Sequence, residues 1–319
     1  MEDKENIVWH YTKLDVLEKM LLKDRINIRF VNARFKNDPS EGLLLKEILK
    51  KYEKELKLDN LEDDSNRIKY IEDSEEILNY NYVFSTTYLA DSMIFWNKEY
   101  AGPDGIAIGF DKNNNNFDFN IRFKFELAGS ELFENVIYIP NPETRDIDEY
   151  VLEDIGKKLY EFHDKYKEFN KPGTWEYLVY FNWLGNFITS YSNIYKHKSW
   201  EDEKEARIIL LNDSEIYQKE GELNAKTECI GNRLVKTCYK DFSKDFCKKI
   251  ILGPNCKEEH IRYIKDYLRD NEYDIEISQS DAYKLEYKTS NSKELLKSKP
   301  TKADWDERHR QLANYGRQQ

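Results

Sequence analysis

The stretch Lys196–Arg207 concentrates groups that can do chemistry. It reads Lys-His-Lys-Ser-Trp-Glu-Asp-Glu-Lys-Glu-Ala-Arg and leads into an apolar run. If a strand starts near Glu203, side-chain alternation puts Glu203, Glu205 and Arg207 on one side of it. Neighbouring carboxylates raise each other's pKa and an arginine lowers it, so such a group can be tuned for binding or catalysis. The alternative interpretation is a solvated charged edge where the strand begins.

Smaller polar groups occur at four other places. His10 lies in an apolar first strand, either as a ligand-positioning group or as a hydrogen-bonded core residue. Ser85 and Thr86 end an aromatic strand, where hydroxyls either brace a site or satisfy backbone groups. The residues at 37–41, Asn-Asp-Pro-Ser-Glu, predict a turn that opens a helix. Gly253-Pro254-Asn255 precedes a helix whose N-terminus can seat an anion, although the Gly-rich phosphate loops are missing.

These groups must be positioned by a mixture of strands and helices. The spacing of apolar residues predicts strands at 7–12, 82–87, 106–110, 117–125, 132–139, 206–211, 249–252, 275–278 and 283–287, and residues 29–33 are a short apolar run. It predicts helices at 14–22, 91–100, 146–169, 175–195 and 258–269. Strands and helices do not alternate strictly, which favours α+β with a split mixed or antiparallel sheet over a doubly wound sheet. We expect one domain over residues 1–287, with a charged helical insertion at 41–81 and a tail at 288–319.

Composition narrows the class of protein. The chain has 319 residues, 14% of them aromatic, so it can bury a sizeable core. A formal net charge of −11 does not suit a protein that coats a phosphate backbone, although a local basic cleft remains compatible with it. No apolar run approaches a membrane span of about 20 residues, and the N-terminus is charged, so we expect a cytoplasmic protein without a membrane segment. The cysteines stand nine residues apart from Cys229 to Cys256, which does not match the paired spacing of zinc sites.

Several short motifs, taken in order, resemble an uncharacterised prokaryotic family whose members are often found near phage-defence or mobile genes. The motifs are His10-Tyr11-Thr12, Asn37-Asp38-Pro39 with Glu41, Phe84-Ser85-Thr86, Trp96 with Tyr100, Gly105–Phe110, Lys198 through Trp200, Glu203, Glu205 and Arg207, and Ile250–Pro254. The resemblance extends over residues 7–287.

That family is similar, more distantly, to ADP-ribosyltransferase-fold toxins that modify nucleic acid. The resemblance implies NAD as substrate, with a first-strand His10 at the adenosine-side ribose and Ser85 and Thr86 bracing the site. It implies Glu203 or Glu205 as the carboxylate that holds the nicotinamide ribose and assists catalysis. Tyr11 or Tyr88 would stack on nicotinamide, and Arg207 would hold the glutamates or bind a phosphate.

The resemblance leaves the acceptor open between a nucleic-acid base, a protein side chain and water, and it allows a regulatory partner protein. On the sequence alone, Glu205→Gln is expected to abolish NAD turnover with little loss of stability, because the substitution keeps the side-chain volume.

Two other classes of function compete with NAD chemistry. Asp202-Glu203-Lys204 matches the short carboxylate–lysine element of metal-dependent nucleases, which need a further carboxylate such as Asp118 or Glu126. Alternatively, the chain is a module that binds a nucleotide or a partner protein without turnover. Magnesium-dependent cleavage of DNA or RNA would favour the nuclease, and binding of NAD without its consumption would favour the module.

Overall fold

A large, mainly antiparallel sheet organises the chain. The computed structural model describes residues 6–35, 42–56, 81–112, 131–211, 225–230 and 233–282. The strands are β1 (Ile7–Thr12), β2 (Ile26–Asn32), β3 (Asn81–Thr87), β4 (Ile106–Asp111), β5 (Glu131–Asn135), β6 (Ile137–Ile139), β7 (Tyr195–His197), β8 (Glu205–Leu211), β9 (Lys226–Ile230), β10 (Arg233–Phe242), β11 (Cys247–Leu252) and β12 (Glu276–Gln279). The α-helices are α1 (Leu17–Met20), α2 (Leu44–Lys51), α3 (Glu149–Tyr166), α4 (Trp175–Ser192) and α5 (Glu258–Asp270).

The strand order confirms a mixed α+β protein. Along the main path of the sheet the order is β12-β11-β4-β1-β3-β2-β10-β9, and β8 and β5 extend it from the other edge of β3. Only the pair β11–β12 of this sheet is parallel among the residues that the structure describes. A doubly wound protein would instead have a mostly parallel sheet. A separate parallel pair is formed by β6 and β7.

The sheet splits at β3. One edge of β3 pairs with β8 along its whole length, from Asn81 opposite Leu211 to Thr87 opposite Glu205. The other edge is shared, because Tyr82 and Val83 pair with β2 whereas Thr87 pairs with β1. In the described pairing, the middle of this edge lies between the part that pairs with β2 and the part that pairs with β1. Ser85 lies there, and it is exposed while the other residues of β3 are buried.

Helices cover both sides of the sheet. On one side, Val83 and Ile209 pack against α2, α3 and α4, and we call this the three-helix side. On the other, Phe84 and Ile208 pack with residues of α1 and α5, and we call this the two-helix side. Since side chains alternate along a strand, Ser85 and Arg207 belong to the three-helix side with Val83.

The helices form where apolar residues recur at helical spacing. In α2 the buried residues are Leu44, Leu45, Ile48 and Leu49, which form one stripe along the helix. In α5 Ile264 and Leu268 are buried four residues apart. Burial of each such side chain contributes about 1.5–3 kcal/mol relative to exposure, so these stripes dock the helices on the sheet.

Some predicted elements are wrong. Residues 91–100, predicted as a helix, form a succession of turns. The predicted strand at 132–139 is two strands that belong to different sheets, β5 and β6. β9 and β10 were not predicted. The predicted turn at 37–41, the strands at 117–125 and 283–287, much of the 41–81 insertion and the 288–319 tail lie outside the described residues.

Candidate functional site: a buried ion cluster at the start of β8

Four charged side chains meet where β8 begins, and we call them the ion cluster: Lys196, Glu203, Glu205 and Arg207. Lys196 comes from β7, and Glu205 and Arg207 come from β8. Glu203 ends a 3-10 helix, Lys198–Glu203, that joins the two strands. All of them are buried, with exposed fractions between 0% for Arg207 and 8% for Glu203. Charged side chains are rarely buried to this extent unless they are paired.

A left-handed residue at the end of the turn brings Glu203 to the cluster. Lys204 has a φ of 44°, a conformation that costs a non-glycine residue roughly 1 kcal/mol. β8 therefore begins at Glu205, so the condition of a strand that starts near Glu203 is not met and Glu203 precedes the strand. Thr87 holds the turn in place, because its hydroxyl donates to the carbonyl oxygen of Glu203 at 2.6 Å.

Arg207 and Glu205 form a two-pronged ion pair. The guanidinium donates from Nε to Oε1 and from Nη2 to Oε2 of Glu205, both at 2.7 Å. Its Nη1 donates to the carbonyl oxygen of Asn193, just beyond the end of α4, at 2.5 Å. Parallel charge-assisted bonds of this kind fix both groups in one orientation. The carboxylate of Glu205 is therefore fixed in place by a fully buried cation.

Lys196 connects the two glutamates. Its Nζ lies 2.5 Å from Oε2 of Glu203 and 3.1 Å from Oε2 of Glu205. The same ammonium lies 5.0 Å from the centre of the Trp200 ring, and this tryptophan is 37% exposed. Two cations and two carboxylates balance their formal charges, which reduces the cost of burying them. Trp200 marks where the cluster approaches the surface.

Two tyrosine hydroxyls complete the cluster. Tyr100 donates to Oε1 of Glu203 at 2.5 Å. Tyr138 accepts the backbone N–H of Glu205 at 2.7 Å. Burial, helped by the carboxylate of Glu203, raises the pKa of Tyr100 well above its ordinary value. Burial also raises the pKa of Tyr138 to about 12, although the hydrogen bond from Glu205 opposes that rise. Both phenols are therefore neutral at physiological pH.

The geometry separates the two glutamates chemically. Glu205 accepts three charged hydrogen bonds and has both oxygens committed to cations. Glu203 accepts one bond from an ammonium and one from a neutral phenol. Glu203 thus has fewer cationic partners than Glu205, and a fixed carboxylate of this kind suits stabilisation of a developing positive charge.

Among the other predicted site residues, Tyr11 and Ser85 share the side of the sheet that carries the ion cluster. Trp9 is opposite Thr87, which is opposite Glu205, so alternation puts Tyr11 on this side. The Tyr11 ring stacks on Phe95 at 4.6 Å, and Phe95 contacts the ring of Tyr100 at 5.1 Å. The Tyr11 hydroxyl donates to the carbonyl oxygen of Leu89. Tyr11 thus reaches the cluster through two aromatic rings.

His10 and Thr86 lie on the two-helix side. The His10 ring packs on Phe84 with ring centres 4.3 Å apart, and its Nδ1 donates to the carbonyl oxygen of Ser85 at 2.9 Å. Burial lowers the pKa of His10 to about 4, and the positive charge of Arg29 adds to this effect. The Thr86 hydroxyl donates to the carbonyl oxygen of Ala206. Neither side chain meets the glutamates.

The residues of the predicted nuclease element point in different directions. Glu203 is buried in the cluster, whereas Asp202 and Lys204 are exposed, and the Lys204 ammonium lies 3.9 Å from Glu201. Within the described ranges, no three His, Cys, Asp or Glu side chains are grouped closely enough to hold a metal ion. Asp118 and Glu126 lie outside those ranges.

Sequence reasoning missed Tyr138 and Asn193, and it named Lys196 only as part of the charged stretch and not as a partner of the glutamates. Lys196 is one of many lysines, and its burial depends on β7, a three-residue strand without an apolar pattern. Tyr138 and the carbonyl group of Asn193 reach the cluster only through the fold. The motif of Trp96 and Tyr100, four residues apart, was a usable signal for the site, since Tyr100 binds Glu203.

Fold and cluster together define a mixed α+β protein with a sheet that splits at its central strand and a buried ion cluster beside the split. Residues 96–208 match the model of DUF2971, a family described as a protein of unknown function. The match covers about a third of the chain and includes Tyr100 and the whole ion cluster. It fits the predicted resemblance to an uncharacterised family.

No curated protein matches the chain, and no solved structure matches it either. Within the described part of the chain, none of the helices combines the length and the apolar character needed to cross a membrane. The four cysteines are free thiols, and Cys238, Cys247 and Cys256 are buried.

Proposed function

We propose that the protein is an NAD-dependent ADP-ribosyltransferase or an NAD-cleaving enzyme in which Glu203 is the catalytic carboxylate. The observation that carries this proposal is the position of Glu203, which lies between the ammonium of Lys196 and the neutral hydroxyl of Tyr100. Its partner Lys196 also lies 5.0 Å from the centre of the exposed Trp200 ring, where the ion cluster approaches the surface. The cofactor-like molecule NAD is a substrate here, consumed in each turnover.

The chemistry requires a fixed negative charge next to the ribose. The bond between nicotinamide and the ribose carbon breaks, nicotinamide leaves with the bonding electrons, and the ribose acquires oxocarbenium character. Glu203 favours that positive charge and accepts a hydrogen bond from the ribose 2′-hydroxyl. Water or another nucleophile then bonds to the ribose carbon and loses its proton to solvent. Water as nucleophile produces ADP-ribose, nicotinamide and one proton.

In this proposal Glu205 is a positioning residue. It is tied to Arg207 and it holds the Lys196 ammonium, which in turn orients Glu203. The sequence left the choice between Glu203 and Glu205 open, and their different partners favour Glu203. Tyr100 supports the same carboxylate through its hydroxyl, and its raised pKa keeps it a donor throughout the neutral range.

The shape of the sheet also supports the proposal. The opening beside Ser85 lies on the side that carries Glu205, and Ser85 is directly opposite Arg207 in the pairing of β3 with β8. A dinucleotide at this opening would extend towards Glu203, one strand away. His10 would contribute indirectly, by holding the carbonyl group of Ser85. An ADP-ribosyltransferase-like fold, a toxin role in phage defence and a nucleic-acid or protein acceptor belong to the same proposal and rest on the resemblance in sequence.

The direct test is nicotinamide release from NAD by the purified protein, with and without added nucleic acid and cell extract. Glu203→Gln should reduce release at least about 100-fold, the lower range for loss of one group that stabilises charge in the transition state. Glu201→Gln is the matched control, because it changes an exposed glutamate of the same turn. Equal loss in both variants, or full activity of Glu203→Gln, would remove Glu203 from the mechanism.

A non-catalytic nucleotide-binding or partner-binding module is the second candidate. One observation favours it: every carboxylate oxygen of the cluster already has a hydrogen-bond partner. A cluster with all its oxygens paired can have a purely structural role, which is to hold β7 and β8 together. A thermal shift with NAD, without nicotinamide release under any of the conditions above, would support this candidate.

A further inference from the structure

Arg29 is half-buried, and within the described ranges its guanidinium forms no ion pair. It lies in the middle of β2, between the buried residues Ile28 and Phe30. Among the described residues its guanidinium has no hydrogen bond or ion pair, and its positive charge acts on His10 and Tyr239 only through space. A partly desolvated guanidinium with five unused donors favours an anion as partner.

The neighbouring carboxylates are already occupied. Glu228 accepts from Thr237 and Tyr239 at 2.8 Å each and is paired with Lys226 at 2.9 Å. Asp241 accepts from Asn27 at 2.6 Å and lies 3.2 Å from the guanidinium of Arg25. The acidic groups closest to Arg29 along β9 and β10 thus have their own donors. Among the described residues, these carboxylates therefore do not pair with Arg29.

Arg29 borders the opening in the sheet. Val31 is opposite Val83, so alternation puts Arg29 on the same side of the sheet as Ser85. Continuing that register by two residues would put Arg29 opposite Ser85, but the pairing of β2 with β3 stops at Val31. The Ser85 side chain is exposed at this point. The opening therefore offers a guanidinium, a hydroxyl and a gap between two strands.

We propose that Arg29 and Ser85 form a binding site for a phosphate-bearing ligand, specifically the pyrophosphate of a dinucleotide. The guanidinium matches phosphate oxygens in a two-pronged geometry, and a serine hydroxyl adds a further donor. The anion site itself rests on the contacts described above. Its assignment to a dinucleotide rests on the proposed function, because the site lies one strand away from the ion cluster.

Binding of inorganic pyrophosphate and of ADP, measured by isothermal titration calorimetry, tests the site directly. Arg29→Gln should weaken both about tenfold or more, since a hydrogen bond to a charged group is lost. Arg262→Gln, which removes the same charge from an exposed position on α5, should leave both affinities unchanged. No binding to the wild-type protein, or equal affinities for wild type and Arg29→Gln, would overturn the proposal.

A second substitution covers the case in which Arg29→Gln fails to fold. Ser85→Asp introduces a carboxylate at an exposed position on the same side of the sheet as Arg29, so it should compete with the ligand and weaken pyrophosphate binding by a similar factor. Undiminished binding by a folded Ser85→Asp protein would contradict the site. Circular dichroism establishes that each variant is folded.

The outcomes separate this site from the proposed function. Pyrophosphate binding that depends on Arg29, in a protein that never releases nicotinamide, would keep the anion site and reject NAD chemistry. Nicotinamide release with an unchanged KM for NAD in Arg29→Gln would keep the chemistry and reject the site. If both proposals hold, Arg29→Gln raises KM more than it lowers kcat, whereas Glu203→Gln lowers kcat and retains pyrophosphate binding.

Discussion

Arg207 and Arg29 lie on the same side of one sheet, yet their environments are opposites. Arg207 is completely buried and its guanidinium donates to Glu205 and to the carbonyl group of Asn193. Arg29 is half-buried, and no hydrogen bond or ion pair of its guanidinium is found among the described residues. Ser85 stands between their strands, directly opposite Arg207.

The difference follows from how the sheet is covered. Around Arg207 the end of α4 closes over β8, so water cannot solvate the guanidinium and the protein must supply its partners. Around Arg29 the sheet is split and open, so water can solvate the charge until a ligand arrives. A paired, buried arginine stabilises the fold, whereas an unpaired arginine at an opening is available for recognition.

The largest expected effect sharpens this comparison through stability. Arg207→Gln should lower the free energy of unfolding by about 3–5 kcal/mol, because it leaves the carboxylate of Glu205 buried with one cation fewer. Arg29→Gln should change it by less than about 0.5 kcal/mol, as is usual for a position without a partner. Urea denaturation of both variants measures the contrast. Similar losses in the two variants would show that Arg29 is structural and would end the comparison.

The next effect distinguishes the two glutamates. Glu205→Gln should cost about 3 kcal/mol of unfolding free energy, because Arg207 then lacks a charged partner in a buried site. This revises the expectation from sequence that the substitution would be mild. Glu203→Gln should cost about 1 kcal/mol, because the amide still hydrogen-bonds within the cluster and Lys196 keeps Glu205. Urea denaturation of both variants measures these free energies of unfolding. A larger loss of stability in Glu203→Gln than in Glu205→Gln would reverse the roles assigned to the two glutamates.

The smallest effect concerns His10 at the split. Its pKa is lowered from 6.5 to about 4 in the folded protein, mainly by burial, so the folded state favours the neutral ring. The stability that depends on the neutral ring is present above pH 6.5 and is lost as the pH falls towards 4. His10→Asn should therefore show a shallower loss of stability than the wild type between pH 6.5 and 4. Parallel curves from thermal unfolding at a series of pH values would contradict this role.

Local patterns were enough to predict much of the fold. The apolar run before Gly253 and the helical spacing after it correspond to β11 and α5, and the long aromatic stretch from Trp175 is helix α4. These elements bury side chains at the period that defines them, so the sequence carries the signal directly. The mixed α+β class followed from their order.

Other features depend on contacts that no local pattern encodes. The 91–100 segment has apolar residues at helical spacing, yet Trp96 is held by Asp91 in a set of turns. The alternation of Glu203, Glu205 and Arg207 suggested a continuous strand, which the left-handed Lys204 interrupts. The ion cluster was predicted as a set of acidic and basic residues, but the role of Lys196 depends on the position of β7. Propensity is a weak prior where tertiary contacts decide.

The pairing of β3 with β8 has a consequence for how the protein is made. The hydrogen bond from Thr86 to Ala206 joins residues 120 positions apart, and the bond from Tyr100 to Glu203 joins residues 103 apart. Such distant contacts form late and slow the folding of a chain. During synthesis, the edge of β3 that pairs with β8 therefore stays unpaired until β8 has emerged from the ribosome.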